Sequence, residues 1–490
     1  MWALARLAVA IYVTVRIMKN PEEVPIYAFI LSSTLPAIVM GNWFAYGPKG
    51  DSIRFEYVVF ILGVFLAFFS KKNRPPSRTA LGRAVLAMLL VNVATVFAAI
   101  YWHTKMGVGT TIRLLETYMF YFMVVRLTKR AHIPGLLNAL IVVTAAACAL
   151  FVVIAVTGSR FLIGLINPAS IDVLSKARVF EGNLFGDKIS MVLTMYFVMP
   201  VIGAVTFFLA LVKKKKRFYY GLLSLLFLGH TVLSGERGYA LMLLAGMLAA
   251  VAALYLAGAG MKAVYRAAAL MVLAAAAAYS LYAYTGFFGK RAQYMVNRFE
   301  SIRAEQKSEA SLMGRINAEK ELSENGALAW IVGFGGYRSS RIAGMRRFQG
   351  GNYGFDVNGP ILMILRYGVT GLAAVVALLL LAFRKAFSML RRMRMSAEEN
   401  AVVFGVLLWI AMVSVSSVFR GFEFSENFTY LSFFVVLLGW SEVIYRDRGV
   451  ARLHAGSTLG PAMARLRRQR ATVAGRVATG ESYAGNEMAG

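Results

Sequence analysis

Apolar stretches of about twenty residues recur along the whole chain, with short polar connections between them. That length matches the roughly 20 helical residues that cross about 30 Å of hydrocarbon. The pattern predicts spans at 24–46, 53–70, 80–101, 110–128, 136–157, 188–212, 218–234, 237–257, 264–287, 357–383, 400–420 and 428–446. Residues 2–18 form a weaker candidate, short and interrupted by Arg6 and Arg16, which either spans or lies at the interface. The expected fold is all-α: a polytopic membrane helix bundle of about 12–13 transmembrane helices. One segment breaks the rhythm. Residues 288–356 are polar and long where other connections are short, and long loops in compact architectures usually carry function. Within them Tyr294, Phe299 and Ile302, then Leu312, Ile316 and Leu322, recur at near-helical spacing. They predict two short amphipathic helices, the second stopped by Asn325-Gly326. Residues 333–355 read as Gly-rich and irregular. The expected organisation is an N-terminal transmembrane bundle (1–287), a large, partly helical extracytoplasmic loop that forms part of the site (288–356), C-terminal transmembrane helices (357–446) and a disordered, basic cytoplasmic tail (447–490).

Composition agrees with a membrane chain. Of 490 residues 59% are hydrophobic and 16% charged, against about a quarter charged in soluble domains. The first 20 residues do not read as a cleaved leader, because Arg6 and Arg16 interrupt the apolar run and no small-residue cleavage site follows. The net charge of +29 would suggest nucleic acid in a soluble protein. Here much of it sits in short connections and the tail, and no nucleic-acid partner is expected. Lys71–Arg78, Lys129 and Arg130, the run Lys213–Arg217, Lys262 and Arg266, Arg384–Arg394, and Arg446–Arg452 fall at every second connection. The positive-inside rule makes those connections cytoplasmic and the 288–356 insert extracytoplasmic. The insert is nonetheless basic, through residues that include Arg291, Arg298, Arg303, Arg315, Arg338, Arg341, Arg346 and Arg347. Basic residues held on the outer side call for an anionic ligand. The single cysteine, Cys148, lies mid-span and reads as packing.

His103, His132, His230 and His454 are scattered, with no Asp, Glu or Cys at ligand spacing, so no metal site is expected; His230, inside a span, reads as bonded to a neighbouring helix. No phosphate-binding P-loop occurs, GFGG at 333–336 is too short for a dinucleotide fingerprint, and no cofactor is expected. The sharpest single residue is Arg237, in SGERG at 234–238, where an apolar helix begins. It either snorkels to headgroups or presents a fixed guanidinium that binds phosphate bidentately. Glu236 either orients it or is solvated. Arg315 is either a second such cation or a solvated helix residue paired with Glu319 four positions on. Arg113 and Glu116, three apart inside a span, read as a structural intramembrane pair. Asp356 and Asn358 stand at the mouth of the next span, as helix caps or, for Asp356, as a base for a hydroxyl nucleophile.

Together these pieces resemble the family of bacterial O-antigen ligases and Wzy-type O-antigen or exopolysaccharide polymerases. The family's Ser-x-Arg-Gly-like motif, opening the helix two spans before a large late loop, is similar to SGERG with Arg237. Its loop motifs are similar to Arg298-Phe-Glu-Ser-Ile302, Gly314-Arg315 and Gly333-Phe-Gly335, and its closing motif to Asn358 and Gly368-Val-Thr-Gly371. The ligases' histidine falls at Val357, a departure that favours a polymerase. The resemblance implies a glycosyltransferase in the bacterial inner membrane, with its active site facing the periplasm. It would join undecaprenyl-diphosphate-linked oligosaccharide repeat units without metal. Partners would be lipid-linked donor and acceptor, the membrane and a chain-length regulator. Arg237 and Arg315 would be catalytic; Asp356, which no family motif matches, would join them as the base by its position at the mouth of the span. Glu236, Arg298, Arg338, Arg341, Arg346, Arg347 and Asn358 would bind substrate. A ligase acting on lipid A core, a polysaccharide or lipid transporter, and a membrane scaffold are the alternatives. A transporter fits many spans and intramembrane charges, but no inverted repeat is visible and the large insert is unexplained.

Overall fold

The structure, a computed structural model, describes residues 2–27, 44–46, 51–53, 55–69, 79–102, 108–157, 198–233, 237–256, 265, 268–269, 272, 322–335, 359–393, 395–419 and 431–447. They are overwhelmingly α-helical. The helices are α1 (Trp2–Lys19), α2 (Phe55–Phe69), α3 (Ala80–Tyr101), α4 (Val108–Leu127), α5 (Ile133–Thr157), α6 (Met199–Val212), α7 (Arg217–Leu233) and α8 (Arg237–Leu256). They continue with α9 (Gly326–Val332), α10 (Gly359–Arg392), α11 (Ala397–Phe419) and α12, residues 431–447. Residues 1–441 form one compact unit; of the second, 442–490, the described residues 442–447 are helical.

Among the described residues four helices are long and apolar enough to cross a membrane, over Ala80–Tyr101, Arg130–Ala149, Met363–Arg392 and Ala397–Ser414. Their exposed faces carry large apolar side chains, including Leu90, Phe97 and Ile100 on α3 and Leu380 and Phe383 on α10. Water would penalise a belt of that extent, whereas hydrocarbon accepts it.

α6 is the axis of the first unit. Its sequence, MPVIGAVTFFLALV, is apolar all round, and every residue from Met199 to Leu211 is buried. α5, α7, α8 and α11 surround it. Gly203 lies against Leu243, and Gly246 against Ala204 and Leu408, so small residues let the helix axes approach. Trp409 of α11 stacks on Phe434 of α12, ring centroids 3.8 Å apart. Cys148 is buried against the Met199 sulfur, as a packing residue should be.

Contacts between charged and polar side chains gather several connections at one end of the bundle. His132 stands 3.5 Å from Glu22, Arg130 pairs with Glu399, and Lys213 pairs with Glu398. Glu399 also builds the start of α11. Its carboxylate accepts from the Ser396 amide at 2.8 Å, and the Ser396 hydroxyl accepts from the Glu399 amide at 3.2 Å. This reciprocal cap satisfies two amides that begin a helix without partners. One nearly buried carboxylate therefore caps α11 and ties it to the α4–α5 connection. Glu399→Gln should lower stability by roughly 2–3 kcal/mol, read as a lower melting temperature of the solubilised protein. Asp at 399 should not restore it, being one methylene too short to reach both partners.

Several expectations need correction. Residues 44–46, assigned to the end of a 24–46 span, are a strand (Phe44–Tyr46) paired antiparallel with Asp51–Ile53. The sequence between them, Gly-Pro-Lys-Gly, is rich in turn-favouring residues. α10 runs nine residues past the expected end of its span at 383, to Arg392. Asn325-Gly326 does not stop the insert's helix for good: residues 322–324 are helical, Asn325 turns, and α9 starts at Gly326 with φ +77°. His103, His454 and the tail from 448 lie outside the described residues.

Candidate functional site

Among the described residues, Gly333, Gly335 and the break in α10 at Gly368 have backbone of positive φ. α10 is interrupted at Gly368, with φ 69° and ψ −177°. Gly333 has nearly the same conformation, φ 74° and ψ −175°, and Gly335 has φ 73°. For the first two that is a region essentially confined to glycine. The break carries the amides of residues 369 and 370 away from the carbonyls of Leu365 and Arg366, their partners in an unbroken helix. The loop replaces them. The Phe334 amide donates to Leu365 O at 2.8 Å, and the Gly335 amide to Arg366 O at 3.1 Å. In return the Thr370 hydroxyl donates to Ile331 O, in the last turn of α9, at 2.7 Å. Gly333 N closes on Ala329 O at 2.9 Å. Two interrupted helices thus satisfy each other's backbone, the condition for irregular chain among apolar helices.

The approach is close because no Cβ intervenes. A Cβ on Gly333 would stand 2.6 Å from Gly368 N; one on Gly335 would overlap Thr95 O and Ala99 N of α3; one on Gly368 would overlap Ile331 O. Phe334 then packs edge-to-face on Trp102, centroids 5.4 Å apart, within a cluster of Leu322, Ala329 and Leu365. So residues 322–335, expected as part of a polar insert, are seated against α3 and α10.

Immediately before the break stands Arg366, nearly buried, its guanidinium carbon 5.4 Å from the Tyr367 ring centroid. Sequence reasoning passed over it. The available signal was a lone cation inside ILMILRYGVTG. Glu116 is likewise buried in α4 and His230 in α7.

Of the expected site residues, Arg237 is the first residue of α8. α7 leads away from the end where Lys213 meets Glu398, so Arg237 opens α8 at the opposite end. α10 begins at that same end, and α8 packs on α10. Glu236, Arg298, Arg315, Arg338, Arg341, Arg346, Arg347, Asp356 and Asn358 lie outside the described residues, as do the side chains of Arg113 and Arg237. The described residues therefore bring together the two glycine motifs, 333–335 and 368–371. Among them no group of three His, Cys, Asp or Glu side chains is placed to hold a metal. The chain matches no protein-family model, and no curated protein matches it.

Proposed function

We propose that this chain is a membrane glycosyltransferase that polymerises undecaprenyl-diphosphate-linked oligosaccharide repeat units at the outer face of the bacterial inner membrane. The supporting observation is the meeting of Gly333-Phe-Gly335 with the Gly368 break, about 30 residues apart in sequence, at the bundle end where α8 and α10 begin. It seats residues 333–335 against α10, the helix that follows Asp356 in sequence. In the reaction the anomeric carbon–oxygen bond to the diphosphate breaks, and its electron pair leaves with the diphosphate. A sugar hydroxyl of the second lipid-linked unit forms the new bond, and its proton passes to the Asp356 carboxylate. Negative charge grows on the leaving group, so cations fixed there stabilise the transition state more than the ground state. Arg237 and Arg315 fill that role. Arg298, Arg338, Arg341, Arg346 and Arg347, with Glu236 and Asn358, hold the rest of the donor and acceptor. Val357 stands where the ligases carry histidine, which favours polymerase over ligase.

The test is reconstitution of the purified protein in liposomes with a short-chain lipid-linked repeat unit. A ladder of lipid-linked oligomers is expected. Product formed only when lipid A core is added would make it a ligase. Movement of the substrate between leaflets without coupling would make it a transporter.

A further inference from the structure

The connection between α6 and α7 holds five consecutive cations, Lys213 to Arg217, and the fold uses the two outer ones internally. Lys213 pairs with Glu398. Arg217 turns back, its Nε donating to Ala210 O at 3.3 Å in the last turn of α6. Lys214, Lys215 and Lys216 are exposed. They stand where α7 begins: the Tyr220 amide donates to Lys216 O at 3.1 Å, and the first turn contains no acidic residue.

What continues below them is apolar and equally exposed. Phe218 is 85% exposed, and Leu222 and Leu225 follow at four- and three-residue steps, 57% and 48% exposed. That is one face of α7. The opposite face, Tyr220, Ser224 and Phe227, is buried in the bundle. A ligand that fits both halves has an anionic head at Lys214–Lys216 and hydrocarbon along Phe218, Leu222 and Leu225. Orientation alone explains a cluster of cations here, but not an aromatic and aliphatic stripe aligned beneath three cations that the fold leaves unused.

We propose that Lys214–Lys216 and the Phe218–Leu222–Leu225 face form a binding site for an anionic phospholipid. The site is separate from the glycosyl-transfer reading and stands or falls without it. The experiment is native mass spectrometry of the full chain, purified in detergent and titrated with phosphatidylglycerol or phosphatidylcholine. The wild type should retain phosphatidylglycerol preferentially. The triple variant Lys214→Gln, Lys215→Gln, Lys216→Gln should lose about tenfold or more of that retention and keep its phosphatidylcholine level. The corresponding triple arginine variant should retain the lipid. Phe218→Ser should weaken it with all lysines present, and millimolar inorganic phosphate should not displace it. If the glutamine triple does not accumulate, Lys215→Gln and Lys215→Glu replace it, with retention falling in that order. Equal retention of the two lipids by wild type, undiminished retention in the glutamine variants, or displacement by phosphate would each overturn the proposal.

Discussion

Replacing Gly335 or Gly368 with alanine should cost roughly 3–5 kcal/mol and leave little folded protein in the membrane. At Gly368 two penalties add. The backbone conformation is strained for any residue with a Cβ, and the new methyl overlaps the Ile331 carbonyl, which a rotamer change cannot relieve. At Gly335 the overlap is with the Thr95 carbonyl and the Ala99 amide, backbone on a second helix. Relief by separation would break the bonds from Phe334 and Gly335 to Leu365 and Arg366, leaving carbonyls without partners among apolar helices. Three control glycines separate the causes. Gly221 and Gly229 of α7 have open space around a built Cβ, so alanine there should be neutral or slightly stabilising. Gly326 has open space but φ +77°, so alanine should cost about 1 kcal/mol from strain alone. Melting of the solubilised protein, with membrane levels by blot, reads all five. A wild-type melting temperature for Gly335→Ala and Gly368→Ala would mean that the two interrupted helices are not locked together.

How much of this was legible in the sequence differs from element to element. α6 could be read as interior from an all-round apolar sequence, and α3, α5 and α11 from hydropathy and length. α10 was cut short because Arg384, Lys385, Arg391 and Arg392 end the apolar window, although nothing in RKAFSMLRR opposes a helix. The strand pair at 44–53 was hidden because Phe44 and Tyr46 counted as apolar span residues. Asn325-Gly326 was ambiguous on physical grounds: a pair that ends one helix can also precede the next, and here it does so without a capping bond from the Asn325 side chain to α9. The lock itself was half visible. Gly333-Phe-Gly335 and Gly368-Val-Thr-Gly371 stood out one by one, but no local pattern states that two separated glycine motifs exchange hydrogen bonds. The same limit explains Arg366, whose burial is a property of the assembled fold and not of its local sequence. The candidate arginines of the insert are a case apart, because a basic residue on a polar segment carries no signal of what it faces. Only substitution separates a clamp from a solvated side chain.

Arg237→Lys and Arg315→Lys are therefore expected to abolish or strongly reduce polymer while the proteins insert and accumulate normally. Lysine keeps the charge and loses the planar fork that grips two phosphate oxygens at once. If the pair clamps the leaving diphosphate, each loses a contact that tightens as the bond breaks. That is on the order of 3 kcal/mol, roughly a hundredfold in rate. A snorkelling Arg237 and a solvated Arg315 would accept lysine without effect, because charge alone serves both roles. Arg303, in the same insert and of the same charge, is the control and should tolerate lysine. The arginines also differ in their starting points. Arg237 opens α8, a helix packed on α10, so its backbone is fixed by the bundle. Arg315 precedes the seated stretch 322–335 by seven residues in sequence. Arg237→Lys should thus act on rate with no change in melting temperature. The measurement is glycan chain length in a complemented deletion strain, with protein levels by blot. Wild-type chain length in both lysine variants would leave the insert without its proposed chemistry and move the transporter reading ahead.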